Sequence, residues 1–199
     1  MLIAGLTGNY GMGKSYVLSV FRELGAVVLD SDEIVHHLLQ DKKVIVRVKK
    51  ILGEKIEREG GSIDKKVIAK LIFDNSKLRK KLEVLLHDMV FDEIEKSLRK
   101  IKEKRCIVVV EVPLLFEGGY QDRFDTTMTV YTTQKAAIER LMKSGISRGN
   151  ALKRLKAQLP IQIKKRRADF LIDNNASKQK TFRQVKKIYG QLCEEIHKK

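Results

Sequence analysis

Residues 1–6 form a short unbroken apolar run that ends at Thr7-Gly8. A run of that length stopped by a turn residue predicts a buried strand. Val17, Val20, Phe21 and Leu24 then recur at helical spacing, which predicts a helix over 16–24 stopped by Gly25. A second short strand is predicted over 26–29, ending at Asp30. Strand, Gly-rich turn, helix and strand in that order point to a parallel sheet.

From Asp32 to about Leu98 the pattern changes. Apolar pairs such as Leu38-Leu39, Val67-Ile68, Leu71-Ile72 and Leu85-Leu86 recur among charges, with Gly60-Gly61 as a break. This predicts a helical insertion rather than more sheet. Strands follow over 107–112, apolar except for Glu111, and over 127–131. Residues 134–158 predict two helices broken near Gly145, one facing inward with Ile138, Leu141 and Met142, the next with Leu152, Leu155 and Leu159. A last strand over 170–172 and a closing helix over 181–196 complete the pattern, and no internal repeat is present. The fold class expected is α/β.

The candidate chemistry begins at Gly8-Asn9-Tyr10-Gly11-Met12-Gly13-Lys14-Ser15, which fits G-x-x-x-x-G-K-[ST] at every fixed position. Such a loop wraps a β-phosphate with inward-pointing backbone N–H groups. Glycine permits the backbone shape and leaves room for the anion, and the following helix adds the positive end of its dipole. Gly8, Gly11, Met12, Gly13, Lys14, Ser15 and Tyr16 are therefore expected to hold the nucleotide. Lys14 would reach the β- and γ-phosphates and Ser15 would ligate Mg²⁺. The loop alone does not separate a kinase from a nucleotide switch or motor.

Asp30-Ser31-Asp32 follows the second strand, and open α/β sheets bind ligands beyond the carboxyl ends of their strands. Phosphoryl transfer to an alcohol benefits from a carboxylate that accepts the hydroxyl proton, and Asp32 is the candidate. The competing reading is that Asp32 caps the next helix. Asp30 and Glu111 are candidates for the metal's surroundings, Asp30 through a water. Val112-Pro113-Leu114-Leu115-Phe116-Glu117 predicts an apolar patch exposed beside the site, against a competing reading of ordinary core packing.

Charge sharpens this picture. The chain carries 41 basic and 25 acidic residues, a net +16 over 199 residues, but the excess is uneven. Residues 134–167 hold eleven Lys or Arg against Glu139 alone, whereas residues 1–33 are net acidic. A mobile helical hairpin bearing Arg140, Lys143, Arg148, Arg154 and Lys164 would close over ATP, exclude water and neutralise the transferring phosphoryl group. Arg140, beside the apolar face of Ile138 and Leu141, is the favoured cation. A solvated charged surface is the bland reading of the rest. Basic chains also bind nucleic acids, but aromatics are 6% of this chain and are not interleaved with the basic residues, so stacking platforms are lacking. Cys106 and Cys193 are far apart in sequence, and no Cys/His cluster has zinc spacing. No signal peptide pattern is present and no apolar run approaches the ~18 residues of a membrane span. A soluble, cytoplasmic protein is expected.

At this point the chain resembles the dephospho-coenzyme A kinase family over nearly its whole length. The resemblance rests on Gly5-Leu6-Thr7-Gly8 running into the loop, Asp30-Ser31-Asp32, Ser62-Ile63-Asp64, Phe73, His87 and the Pro113 to Glu117 stretch. It continues in Arg140-Leu141, in Arg154 to Gln158, and in residues 164–174 with Ala168-Asp169 and Ile172-Asp173-Asn174. It departs from the family pattern at Tyr16, Asp88 and Lys143, where Thr, Pro and Arg are usual; Lys143 keeps the charge without the bidentate fork.

The resemblance implies ATP-dependent phosphorylation of the ribose 3′-hydroxyl of dephospho-coenzyme A. It implies a P-loop kinase-type three-layer α/β/α fold with a five-stranded parallel sheet. The nucleotide core would comprise 1–32, 103–133 and 168–199, the helical acceptor region 33–102, and the basic lid 134–167. It matches Asp32 to the base, Arg140 to a lid arginine on phosphate, and Asn174 to the neighbourhood of the adenine. Acceptor contacts are expected from Leu114, Leu115 and Phe116; His87 is either a further contact or a packed helical residue. The partners implied are ATP, Mg²⁺ and dephospho-coenzyme A; separately, a monomer is expected, with a weak oligomer as the alternative. Another nucleoside or nucleotide kinase, or a nucleotide-dependent nucleic-acid-binding protein, are the alternatives to be separated by assay.

Overall fold

The computed structural model describes residues 1–57, 63–102 and 105–198, with the backbone alone at Lys65, Lys66, Phe73, Asp74 and Ser76. Gly60, Gly61 and Ser62, singled out in the sequence, lie outside the described residues, as does the side chain of Phe73. The chain divides into two compact units, Met1–Asp30 with Glu103–Lys199, and Ser31–Lys102.

The first unit is built on five parallel strands: β1 Leu2–Thr7, β2 Val27–Asp30, β3 Ile107–Glu111, β4 Thr126–Tyr131 and β5 Phe170–Asp173. Their order is β2-β3-β1-β4-β5. Strands β1 and β3 are nearly continuous apolar runs because a parallel sheet is covered on both faces. One face packs helix α1 (Lys14–Glu23) and the last helix (Lys178–Lys198) against Leu2, Leu6, Val109, Met128, Val130 and Ile172. On the other side Leu115 and Phe124 close over Gly5, where an added Cβ would lie 2.6 Å from Leu115 Cδ1.

Between β4 and β5 the chain forms α6 (Gln134–Lys143), α7 (Arg148–Lys156) and α8 (Ile161–Arg167). Each of the first two starts at a side-chain cap: Thr133 accepts from the Ala136 N–H and Ser147 from the Asn150 N–H. Gly145, at φ +87, makes the turn between them. Helix α8 was not predicted. Its sequence, Ile-Gln-Ile-Lys-Lys-Arg-Arg, has too short an apolar pattern to signal a helix, and packing against β4 supports it. Leu159 lies beyond α7 rather than on its apolar face, and α1 starts at Lys14, two residues before the predicted helix.

The second unit contains α2 (Ser31–Leu38), α3 (Lys42–Leu52), α4 (Lys65–Asp74) and α5 (Ser76–Lys100). Asp41 caps α3 and Asn75 caps α5, each accepting two backbone N–H groups. Val44, Ile45, Val48, Leu52, Ile56, Ile63, Ile68 and Leu82 form its own core. The closing helix of the chain, α9, is Lys178–Lys198. No helix among the described residues is long and apolar enough to cross a membrane.

Candidate active site

The carboxyl ends of β1, β2 and β3 bring the first set of predicted residues together. Strand β1 ends at Thr7 and runs straight into the loop; β2 ends on Asp30 and β3 on Glu111. Glu111 is register partner to both Leu6 and Asp30, so sheet pairing itself sets the two carboxylates side by side next to the loop. Lys14 Nζ lies 3.6 Å from Glu111 Oε1, with side chains 10% and 5% exposed. A pair so far from water is poorly screened, which aims Lys14 along the mouth of the loop. Ser15, on the first turn of α1, is exposed. The loop folds on itself through the Met12 N–H to Asn9 carbonyl bond of 3.2 Å. Gly11 and Gly13 sit at φ +75 and +91, left-handed conformations open to glycine at no cost.

Behind the loop is a brace that sequence reasoning missed. Asn174, 6% exposed, donates from Nδ2 to the Met12 carbonyl at 2.9 Å and accepts at Oδ1 from Thr181 Oγ1 at 3.0 Å. Arg140 donates to the Asn174 carbonyl at 2.9 Å and to the Met12 carbonyl at 3.4 Å. Asn174 was expected beside the adenine. Its buried amide is committed to the loop and to α9, because the turn after β5 runs behind Gly13. Arg140 likewise has two donors on backbone carbonyls, so it positions the loop before any phosphate is considered. Thr181 carries no motif and meets Asn174 only through the fold.

The basic stretch proves heterogeneous. Lys143 and Arg148 are exposed, but Lys164 is fully buried and is not a lid cation free to reach a phosphate. Its ammonium pairs with Glu117 Oε1 at 2.8 Å and donates to the Pro113 carbonyl at 3.0 Å. Burial pushes its pKa down, opposed by Glu117. The hydroxyl of Thr7 donates to the same Pro113 carbonyl at 3.1 Å. The stretch after β3 does not expose the predicted apolar patch. Leu115 and Phe116 are 0% and 2% exposed, and Arg167 lies over the Phe116 ring, leaving Leu114 half-buried. Burying two such side chains is favoured over leaving them in water. Leu115 and Phe116 are thus core residues of the first unit, whereas an exposed patch was expected.

In the second unit, α2 starts at Ser31, so Asp32 is the second residue of that helix rather than its cap, and it is exposed. His87 lies half-buried on α5. Burial pushes its pKa below the ordinary 6.5, against the opposing charges of Glu83 and Asp88. The folded imidazole is therefore neutral at pH 7. As pH falls through 6.5 the unfolded chain gains a proton that the folded chain resists, so stability declines until the folded pKa is passed. Melting temperatures followed from pH 7.5 down to 5.5 are expected to fall less in His87→Gln than in the parent; parallel curves would disprove this contribution.

Among the described residues no group of three or more His, Cys, Asp or Glu is placed to hold a metal ion. What the site offers is hard oxygen donors: the Ser15 hydroxyl and the Asp30 and Glu111 carboxylates. That set suits Mg²⁺, which keeps several waters and is shared with substrate phosphates rather than caged by protein.

Known proteins are similar to this chain over nearly its whole length. The family model described as dephospho-CoA kinase matches residues 2–180. A dephospho-CoA kinase of Aquifex aeolicus is 39% identical over 189 residues, covering 94% of this chain and 96% of the relative. The crystal structure of TT1252 from Thermus thermophilus superposes with a TM-score of 0.83 at 31% identity, covering 96% of this chain and 97% of the other. A dephospho-CoA kinase from Campylobacter jejuni gives a TM-score of 0.71 at 23% identity over 97% and 98% of the two chains, a likeness of fold. With the phosphate loop, Arg140, Asn174 and the helical insertion all inside the matched span, the chain belongs to the dephospho-CoA kinase family.

Proposed function

We propose that the protein, an ATP-dependent dephospho-CoA kinase, performs in-line transfer with Asp32 as the base. The 3′-oxygen of the acceptor ribose attacks the γ-phosphorus, the bond to the β,γ-bridging oxygen breaks, and ADP leaves. Asp32 takes the hydroxyl proton, and its exposure at the head of α2 supports that role. Lys14 neutralises charge building on the phosphoryl group. The observation that carries the reading is Lys14 held beside buried Glu111 at the mouth of a glycine loop.

Ser15 would hold Mg²⁺, with Glu111 and Asp30 in reach through water. The ion supplies charge neutralisation on the β- and γ-phosphates. Arg140 acts through the loop it braces. Residues 33–102 serve as the acceptor region, with His87 a candidate contact whose neutral ring suits hydrogen bonding; 134–167 serve as the lid; and 1–32, 103–133 and 168–199 hold the nucleotide. Leu114 remains available to the acceptor. The protein works as a cytoplasmic monomer.

The test is to incubate the protein with Mg-ATP and dephospho-coenzyme A and identify the product. Coenzyme A carrying a 3′-phosphate, formed one for one with ADP, is expected. Transfer to nucleosides or nucleotides in preference would point to another small-molecule kinase. Background ATP hydrolysis alone would sink the assignment, and salt-sensitive nucleic-acid binding in its place would favour a switch.

A further inference from the structure

The segment leaving α7 touches the phosphate loop at two of its four variable positions, Asn9 and Tyr10. The Tyr10 N–H donates to Gln158 Oε1 at 2.8 Å. Asn9 Nδ2 donates to the Leu159 carbonyl at 3.0 Å. The Leu159 N–H in turn donates to Glu117 Oε1 at 3.0 Å, the same oxygen that holds Lys164. Arg154 donates to the Tyr10 hydroxyl at 2.8 Å and lies 4.9 Å from the centre of its ring. Residues 158–159 are thus bracketed by the loop on one side and Glu117 on the other. Beside them is a cavity of about 230 Å³ whose walls include Asn9, Met12, Leu155 and Pro160.

These ties differ in kind. The Asn9 and Glu117 ties use the Leu159 backbone, and the Arg154 contact joins two exposed side chains. Gln158 is a lid side chain that holds loop backbone. Its own backbone is fixed, since its N–H donates to the Leu155 carbonyl at 3.3 Å in the exit turn of α7. A backbone N–H requires an acceptor, so the amide oxygen, not the nitrogen, faces Tyr10. Asn174 and Arg140 hold the back of the loop at Met12; Gln158 holds its front at Tyr10.

We propose that Gln158 is a positioning residue for phosphoryl transfer: by accepting from the Tyr10 N–H it fixes the front of the phosphate loop to the lid's return limb. Its effect is to align the donor triphosphate and to keep water from the phosphoryl group while the lid is in place. Displacements of about 1 Å at such a site cost up to 10²-fold in rate. The inference rests on the kinase reading above.

The experiment compares Gln158→Met, which keeps length and loses the acceptor, with Gln158→Glu, which keeps an acceptor oxygen. ATP KM, acceptor KM, and the ratio of ADP to coenzyme A formed are measured, with the melting temperature as a control. Gln158→Met is expected to raise ATP KM about three- to tenfold, the size of one hydrogen bond, and to form ADP in excess of product. The acceptor KM and the melting temperature should stay unchanged. Gln158→Glu is expected to keep ADP and product matched, although its charge beside the triphosphate raises ATP KM. The proposal is overturned if Gln158→Met keeps normal ATP KM and coupling, if both variants uncouple equally, or if the loss tracks a lowered melting temperature. Absence of coenzyme A with the parent protein would instead sink the kinase reading.

Discussion

Asp32→Asn is expected to lower turnover by about 10²–10⁴-fold, the range a positioned general base contributes, while ATP affinity stays within a few fold of the parent. The substitution is nearly isosteric and removes the proton acceptor alone. Asp32 is exposed on the first turn of α2, so the substitution leaves the buried core unchanged. An acidic residue there gains about 0.3–1 kcal/mol from the helix dipole, too little for its loss to mimic a catalytic defect. Turnover would be measured with saturating acceptor and ATP binding by titration. Near-normal turnover would remove Asp32 as the base, and a parallel collapse of ATP binding would show that its role is not confined to the proton.

Gly13→Ala is expected to reduce kcat/KM for ATP by at least about 100-fold, through the ground of nucleotide binding rather than the proton step. Two costs coincide at this position. The backbone is at φ +91, which strains any L side chain by roughly 1–2 kcal/mol. The new Cβ would lie 2.1 Å from Asn174 Nδ2, so either the loop or the buried amide must move. Either movement breaks the bond to Met12 and tilts N–H groups that must converge on phosphate. Adding Asn174→Gly removes the clash but neither the strained φ nor the loss of the bond to Met12, so the double variant is expected to recover little of the loss. Full activity in Gly13→Ala alone would show that the brace is slack. By contrast, Gly53, also at positive φ, has nothing within 4 Å, so a side chain there meets no such obstacle.

The two predictions differ in how far they were visible in the residues. Asp32 was legible because Asp-Ser-Asp follows an apolar run, and a strand end in a parallel sheet is where ligands bind. What its position in α2 changed was the rival reading: as second residue of the helix it is not the cap. Gly13 was legible as part of a loop motif, but its contact with Asn174 was not, since those residues are separated by most of the chain. The same holds for Lys164. In sequence it is one of eleven basic residues in a run, and nothing local marks the one that is fully buried against Glu117. Leu115 and Phe116 were read from hydrophobicity, which cannot tell a patch that meets a ligand from one that meets the sheet.

The sequence by itself determined what depends on neighbours along the chain: the buried parallel strands, the glycine loop with its lysine and serine, the helical insertion and the acid after β2. These follow from periodicity and from the backbone demands of a phosphate cradle, both local properties. Only the tertiary structure decided which side chains hold that cradle in place. Register between β2 and β3 put Asp30 beside Glu111, the turn after β5 put Asn174 behind Gly13, and the exit from α7 put Gln158 on the Tyr10 N–H. Those contacts join residues far apart in the chain, and only burial and hydrogen-bond satisfaction in the folded molecule select them.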